Sequence, residues 1–212
     1  GFVTNGIRLP EYVDFLARPQ IRSAVEKISI SIDGASEATN DKIRGKGSFK
    51  KALKGMLACK SRGLPFAVKF TLNAINHKEL EAIALMMSKL GACQVQLSHL
   101  YPTPENMNAG LLLEPGQWQS IQDEYERLRD IIRIPLVFSS VTQMDDCLPI
   151  CQPLAMMDYY VDCKGWLCLC CMLPGVSGRK AGEKEKDRLA DLHTIRFADA
   201  HRKLIGLICE LR

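Results

Sequence analysis

Over the first 140 residues, short β-prone runs alternate with amphipathic helical stretches, and this order most limits the folds open to the chain. Lys27-Ile28-Ser29-Ile30-Ser31-Ile32 has strict period-two alternation and closes on an Asp33-Gly34 turn. Ser48 is placed to cap a helix whose inner stripe is Phe49, Leu53, Met56, Leu57 and Cys59, ended by Gly63 and Pro65. Phe66 to Leu72 reads as a strand. His77 to Leu90 reads as a helix with Leu80, Ile83, Met87 and Leu90 inward and Gly91 as its stop. Another strand runs from Cys93 to Leu97. A Pro- and Asn-rich loop spans Tyr101 to Gly110, a helix starts at Pro115, and Ile134 to Phe138 is strand-like. Strands alternating with helices predict a parallel sheet with right-handed crossovers. About four strands of barrel type are fewer than a closed barrel requires, so an exposed edge is expected at residues 1–6 and, with it, pairing or dimerisation through that edge.

Beyond about residue 140 the character changes. Met157 to Cys163 and Trp166 to Cys170 flank Lys164-Gly165 as a β-hairpin, a charged loop runs from Gly175 to Asp187, and Thr194 to Leu211 is helical. Six of the nine cysteines fall within one short segment of this part: Cys147, Cys151, Cys163, Cys168, Cys170 and Cys171. An odd count with no visible signal peptide argues for metal rather than a disulfide framework, and for a cytoplasmic setting. Cys59 and Cys93 are expected to be buried structural thiols. The net charge of +4 is too mild and dispersed for nucleic acid, and no apolar run is long enough to span a membrane.

In parallel α/β sheets, ligands sit at the C-terminal strand ends. Here those ends read Thr4-Asn5-Gly6, Ser31-Ile32-Asp33-Gly34, Thr71-Leu72-Asn73 and Ser98-His99-Leu100-Tyr101. Asn5, Ser31, Asp33, Asn73 and His99 together can bind a polar ligand bearing ribose, amine and carboxylate groups. Taken singly, each is ordinary turn chemistry.

The run Ile30-Ser31-Ile32-Asp33-Gly34, followed by Glu37, Asp41, Ile43-Arg44-Gly45 and Ser48-Phe49, resembles the fourth-strand signature of radical S-adenosylmethionine (SAM) enzymes. Thr4-Asn5-Gly6 and Thr71-Leu72-Asn73 resemble the strands on either side of it. The resemblance implies an α/β fold, a partial (β/α) radical SAM barrel of truncated TIM type over residues 1–140, and a small Cys-rich β-hairpin plus helix extension over 141–212. It implies SAM as cofactor, with Ser31 at the ribose, Asp33 supporting the turn, Arg44 near the SAM carboxylate, and Leu100 or Tyr101 against adenine. It also implies a reducing [4Fe–4S] cluster that releases a 5′-deoxyadenosyl radical. The Cys-x3-Cys-x2-Cys motif that holds this cluster does not occur in the 212 residues, where Cys147-Cys151 is followed by Leu154. The chain therefore reads as part of such an enzyme, inactive alone.

The tail adds a second match. Cys151, Gly165 and Cys170 have the spacing Cys-x13-Gly-x4-Cys, similar to the opening of SPASM or twitch extensions that hold an auxiliary iron–sulfur cluster. Cys147 is a third candidate ligand. Cys171 completes the metal candidates, although strand alternation turns it away from the face of Cys168 and Cys170. The same thiolates can hold structural zinc. A tail of this kind implies a peptide or protein substrate. Two other readings stay open: a scaffold that binds SAM or a partner without radical chemistry, and a zinc-stabilised α/β protein.

Overall fold

The structure is a computed structural model that describes residues 1–100, 104–138, 159–162, 164–168 and 188–210. The chain divides into two compact units, Gly1–Met144 and Asp145–Arg212. In the first, five strands form one parallel sheet: β1 (Phe2–Thr4), β2 (Ile28–Ser31), β3 (Phe66–Leu72), β4 (Val95–His99) and β5 (Leu136–Phe138). They lie side by side in chain order. Ile28 aligns with Phe66, Ile30 with Val68, Phe70 with Leu97, and Thr71 with Ser98.

The helices are α1 (Leu9–Leu16), α2 (Pro19–Arg22), α3 (Glu37–Arg44), α4 (Ser48–Ser61), α5 (Leu80–Leu90), α6 (Pro104–Asn108) and α7 (Pro115–Arg129). Four of them bury apolar stripes against one face of the sheet. Val13 of α1, Ala52, Met56 and Cys59 of α4, Ile83 and Met87 of α5, and Ile121 and Leu128 of α7 share a core with Ile28, Ile30, Phe66, Val68, Phe70, Leu72, Val95 and Leu97. Side chains alternate along a strand and aligned residues share a face. Ser29, Ser31, Ala67, Lys69, Thr71, Gln96 and Ser98 therefore lie on the other face. Cys59 is fully buried, and burial alone pushes its thiol up to about 11.

Local chemistry sets the helix ends. The Ser36 hydroxyl accepts the Thr39 amide at the start of α3, and Gly91, at φ 87°, stops α5. Glu114 and Gln117 form a reciprocal capping box at α7, with Pro115 in the first turn. Ser48 is the first residue of α4 rather than its cap; Gly47, at φ 79°, takes that place because the Ser48 hydroxyl is engaged by Asp41 and Asn40. Leu57 is exposed and not part of the inner stripe, lying on the outer side of α4. Cys93 is exposed and precedes β4 instead of starting it. Helix α6 lies where the sequence reads as loop, and α1 and α2 lie where the sequence shows no strong helical period.

The second unit holds an antiparallel sheet of β6 (Tyr160–Val161), β7 (Trp166–Cys168) and β8 (Arg188–Asp191), with α8 (Phe197–Glu210). Leu167, Ala190, Ala200, Leu204 and Ile208 form its core. Gly165 turns between β6 and β7 at φ 79°, with its Cα so close to His193 that a Cβ would lie 2.5 Å from the imidazole Nε2. Asp162 accepts the Lys164 and Trp166 amides and pairs with Arg188. Burial pushes the Asp162 carboxyl up, but the Trp166 amide, Arg188 and the Lys164 amide outweigh it and hold it below the usual carboxylate range. No helix among the described residues is long and apolar enough to cross a membrane.

Candidate functional site

The turn after β2 is the structural centre of the strand-end region. Asp33 is 5% exposed, so its carboxylate must be matched by donors. Its Oδ1 accepts the Thr71 amide at 2.9 Å, and its Oδ2 lies 2.6 Å from the Arg44 Nε. Its own amide donates to the Asn40 Oδ1 at 2.9 Å, and its carbonyl accepts from the Asn76 Nδ2 at 3.1 Å. Asn40 and Asn76 are fully buried. Asn76 also donates to the Thr71 carbonyl and accepts the Asn73 amide, so one carboxamide ties the ends of β2 and β3 together.

Around this lies a second layer. The Asn40 Nδ2 donates to the Ser48 hydroxyl, which donates to Asp41. Asp41 also accepts the Phe49 and Gly47 amides; the Phe49 amide is the largest influence holding its carboxyl below the usual range. Glu79 accepts the Ala35 amide at 2.7 Å and the Thr39 hydroxyl at 2.5 Å, fixing α3 from the side of β3. Gly34 fits between these parts because it has no side chain: a Cβ would stand 2.4 Å from the Asn40 backbone nitrogen.

A cavity of about 350 Å³ opens beside this network, lined by Asp33, Lys42, Ile43, Arg44, Thr71, Asn73, Ile75, Leu100 and Leu111. The lining joins charged and hydrogen-bonding side chains with apolar ones. Among the described residues Asp33 is the polar partner of Arg44, through one guanidinium nitrogen. The two terminal nitrogens of that fork remain for an anionic group such as a carboxylate. The cavity thus offers apolar surface together with charge and hydrogen-bonding groups. Among the described residues no three His, Cys, Asp or Glu side chains converge as a metal site.

The structure brings Asp33, Arg44, Asn73 and Leu100 around one cavity. Ser31 ends β2 beside Lys69, on the sheet face away from the helices, and does not line this cavity. Asn5 sits on an exposed turn, where its side chain accepts the Ile7 amide. His99 lines a different cavity of about 210 Å³ with Leu72, Leu100, Leu112, Leu113 and Trp118, packed edge-on to Trp118 with ring centroids 6.0 Å apart. Its Nδ1 is buried without a hydrogen-bond partner among the described residues, and burial pushes the imidazole below its ordinary value. His99 faces α7 because it continues the apolar row of Val95 and Leu97. Tyr101, Cys147, Cys151, Cys170 and Cys171 lie outside the described residues. Sequence reasoning missed Lys42, Thr71 and Ile75 as lining residues and Asn40, Asn76 and Glu79 as supports. Asn76, three residues beyond Asn73, was the one legible signal.

Residues 1–89 match the profile of the Radical SAM superfamily. The chain is 34% identical over 103 residues to the AdoMet-dependent heme synthase of Methanosarcina barkeri, covering 47% of this chain and 28% of that protein. It is 32% identical over 125 residues to mycofactocin maturase MftC of Mycobacterium tuberculosis, covering 57% of this chain and 30% of the relative. The chain thus spans less than a third of the length of these relatives. Among solved structures, anSMEcpe with bound AdoMet superposes with a TM-score of 0.61 at 16% identity, over 95% of this chain and 52% of the other. Streptococcus suis SuiB bound to S-adenosylmethionine gives 0.56 at 9% identity, over 87% and 45%. These structural likenesses concern the fold alone, a parallel five-stranded α/β sheet. Residues 1–89 are therefore similar to part of a radical SAM domain.

Proposed function

We propose that the chain is part of a radical SAM enzyme, and that the cavity beside Asp33, Arg44, Thr71 and Asn73 receives SAM. The observation that carries this is the Asp33–Arg44 pair at the cavity wall, inside the stretch that matches the superfamily profile. Asp33 orients the guanidinium, whose free edge takes the SAM carboxylate, and Leu100, Ile75 and Leu111 exclude water from the adenine. Ser31, Asn5 and His99 were also expected to bind SAM; their positions support that role less. When bound, SAM and a reducing iron–sulfur cluster supply a 5′-deoxyadenosyl radical. In this reading the cluster's three thiolates come from outside residues 1–212.

The substrate we favour is a peptide or protein side chain, supported by the likeness to mycofactocin maturase MftC and to SuiB bound to precursor peptide SuiA. The 34% identity to an AdoMet-dependent heme synthase supports a tetrapyrrole as the second reading. Cys147, Cys151, Cys170 and Cys171 are proposed ligands of an auxiliary cluster in a SPASM or twitch tail, on their spacing alone. Iron rather than zinc in anaerobically purified protein supports this; zinc without iron sinks it.

Calorimetric titration of SAM tests the cavity. Arg44→Lys keeps a cation beside Asp33 but cannot hold two carboxylates in a fork, so SAM affinity should fall about tenfold. Binding unchanged by Arg44→Lys but lost in His99→Gln would move the site to the other cavity and contradict the proposal.

A further inference from the structure

We propose that Lys69 holds a carboxylate of the substrate, on the sheet face opposite the helices. The assignment rests on the radical SAM reading of the neighbouring cavity for which molecule is the substrate. It does not rest on that reading for the anion site itself.

Lys69 stands in β3, the middle strand of the sheet. Lysine is depleted in strands, and Lys69 is half-buried in a central one. At this position Thr or Val would satisfy every local rule, so the choice of Lys breaks one. Its neighbours in register are Ser31 on β2 and Gln96 on β4, and Thr71 follows two residues on. The face is polar but carries no acidic strand residue to pair with Lys69. Lys27, at the lower end of the same row, is satisfied by the Gln94 side chain at 3.0 Å. Asp33, just beyond the end of β2, is taken up by Arg44 and the Thr71 amide. Among the described residues the Lys69 ammonium therefore has no hydrogen-bond or ion-pair partner.

Thr71 belongs both to this face and to the wall of the proposed SAM cavity. Two residues along a strand are about 7 Å. A molecule lying over Ser31, Gln96 and Ser98 would thus have one end at the cavity mouth and an anion on Lys69. Hydroxyls and a carboxamide beside one cation suit a carboxylate that also accepts neutral hydrogen bonds. SAM has a carboxylate of its own, but Arg44 already stands at its cavity, so the anion on Lys69 is assigned to the second molecule.

The test uses the full protein with ¹³C-labelled lysine side chains, titrated with glutarate and with its diamide, glutaramide, with and without saturating SAM. Glutarate should shift the Lys69 ε-methylene signal and glutaramide should not. The affinity should fall about tenfold in Lys69→Gln, recover in Lys69→Arg, and stay unchanged in the surface control Lys54→Gln. An unmoved Lys69 signal, an equal response to the diamide, or full affinity in Lys69→Gln overturns the proposal. So does displacement of glutarate by SAM, which would make the carboxylate SAM's own. If glutarate binds through Lys69 while SAM binds nowhere, the anion site stands and the radical SAM reading falls.

Discussion

Asn76 shows how much one buried side chain can decide. It spends its carboxamide on the Asp33 and Thr71 carbonyls and the Asn73 amide. Asn76→Ala takes this partner from the Asp33 carbonyl and the Asn73 amide, while the Thr71 carbonyl keeps the Asn73 Nδ2 at 3.2 Å, and should destabilise the protein by about 2–3 kcal/mol. Chemical denaturation measures this; a loss within about 0.5 kcal/mol, as at a plain surface site, would mean that water replaces the carboxamide. His99 gives a pH dependence. Its imidazole is held below its ordinary value because burial disfavours the charged form. The unfolded chain therefore binds the proton first as pH falls. The stability that His99 contributes is complete above the ordinary value of about 6.5 and is lost as pH falls from there toward the lowered value. Comparing denaturation at about pH 7.5 and pH 5.5, His99→Phe should lose less stability than the wild type over that interval. Equal losses would show that His99 is not the titrating group.

The joint between β2 and α3 is set by distances that admit no extra atom. Gly34→Ala must move the Asn40 backbone, and with it the helix that carries Arg44 to Asp33. A destabilisation of about 2 kcal/mol or more is expected, together with weaker SAM binding. Gly116→Ala in α7, where a Cβ meets nothing, is the control and should be neutral or slightly stabilising. Equal melting temperatures for the two variants would contradict the close fit. Strands β1 to β7 and helices α4, α5, α7 and α8 were legible in the sequence from their apolar patterns and the turn residues that end them, whereas the four-residue β8 was not. Helices α1 and α2 were not, since short Pro-started segments carry little periodicity. Leu57 was misplaced inward because period alone does not fix how far a helix's apolar stripe wraps around it. Asp33 was legible as one of several polar residues at the strand ends, and Arg44, in the last turn of α3, only through the family resemblance. His99 lines the other cavity because it continues the row of Val95 and Leu97 onto the helix face. The polar row centred on Lys69, on the face away from the helices, became visible only once strand register was known.

In the first unit β1 is an edge of the sheet, with Phe2 and Val3 exposed at 42% and 59%. An exposed parallel edge with apolar side chains is a template for another strand. Self-association of the chain through β1 is the expected outcome, and Val3→Lys should reduce it in sedimentation equilibrium. A chain that stays monomeric at all concentrations, with or without the substitution, would count against it. The reading of the molecule as part of a radical SAM enzyme rests on one cavity, and product formation there is decisive. The protein with its natural flanking sequence, reconstituted anaerobically and reduced, is incubated with SAM and assayed for 5′-deoxyadenosine. Formation by the wild type, reduced about tenfold or more in Arg44→Lys, is the expected result. No 5′-deoxyadenosine from the wild type, or an undiminished yield from Arg44→Lys, would contradict it.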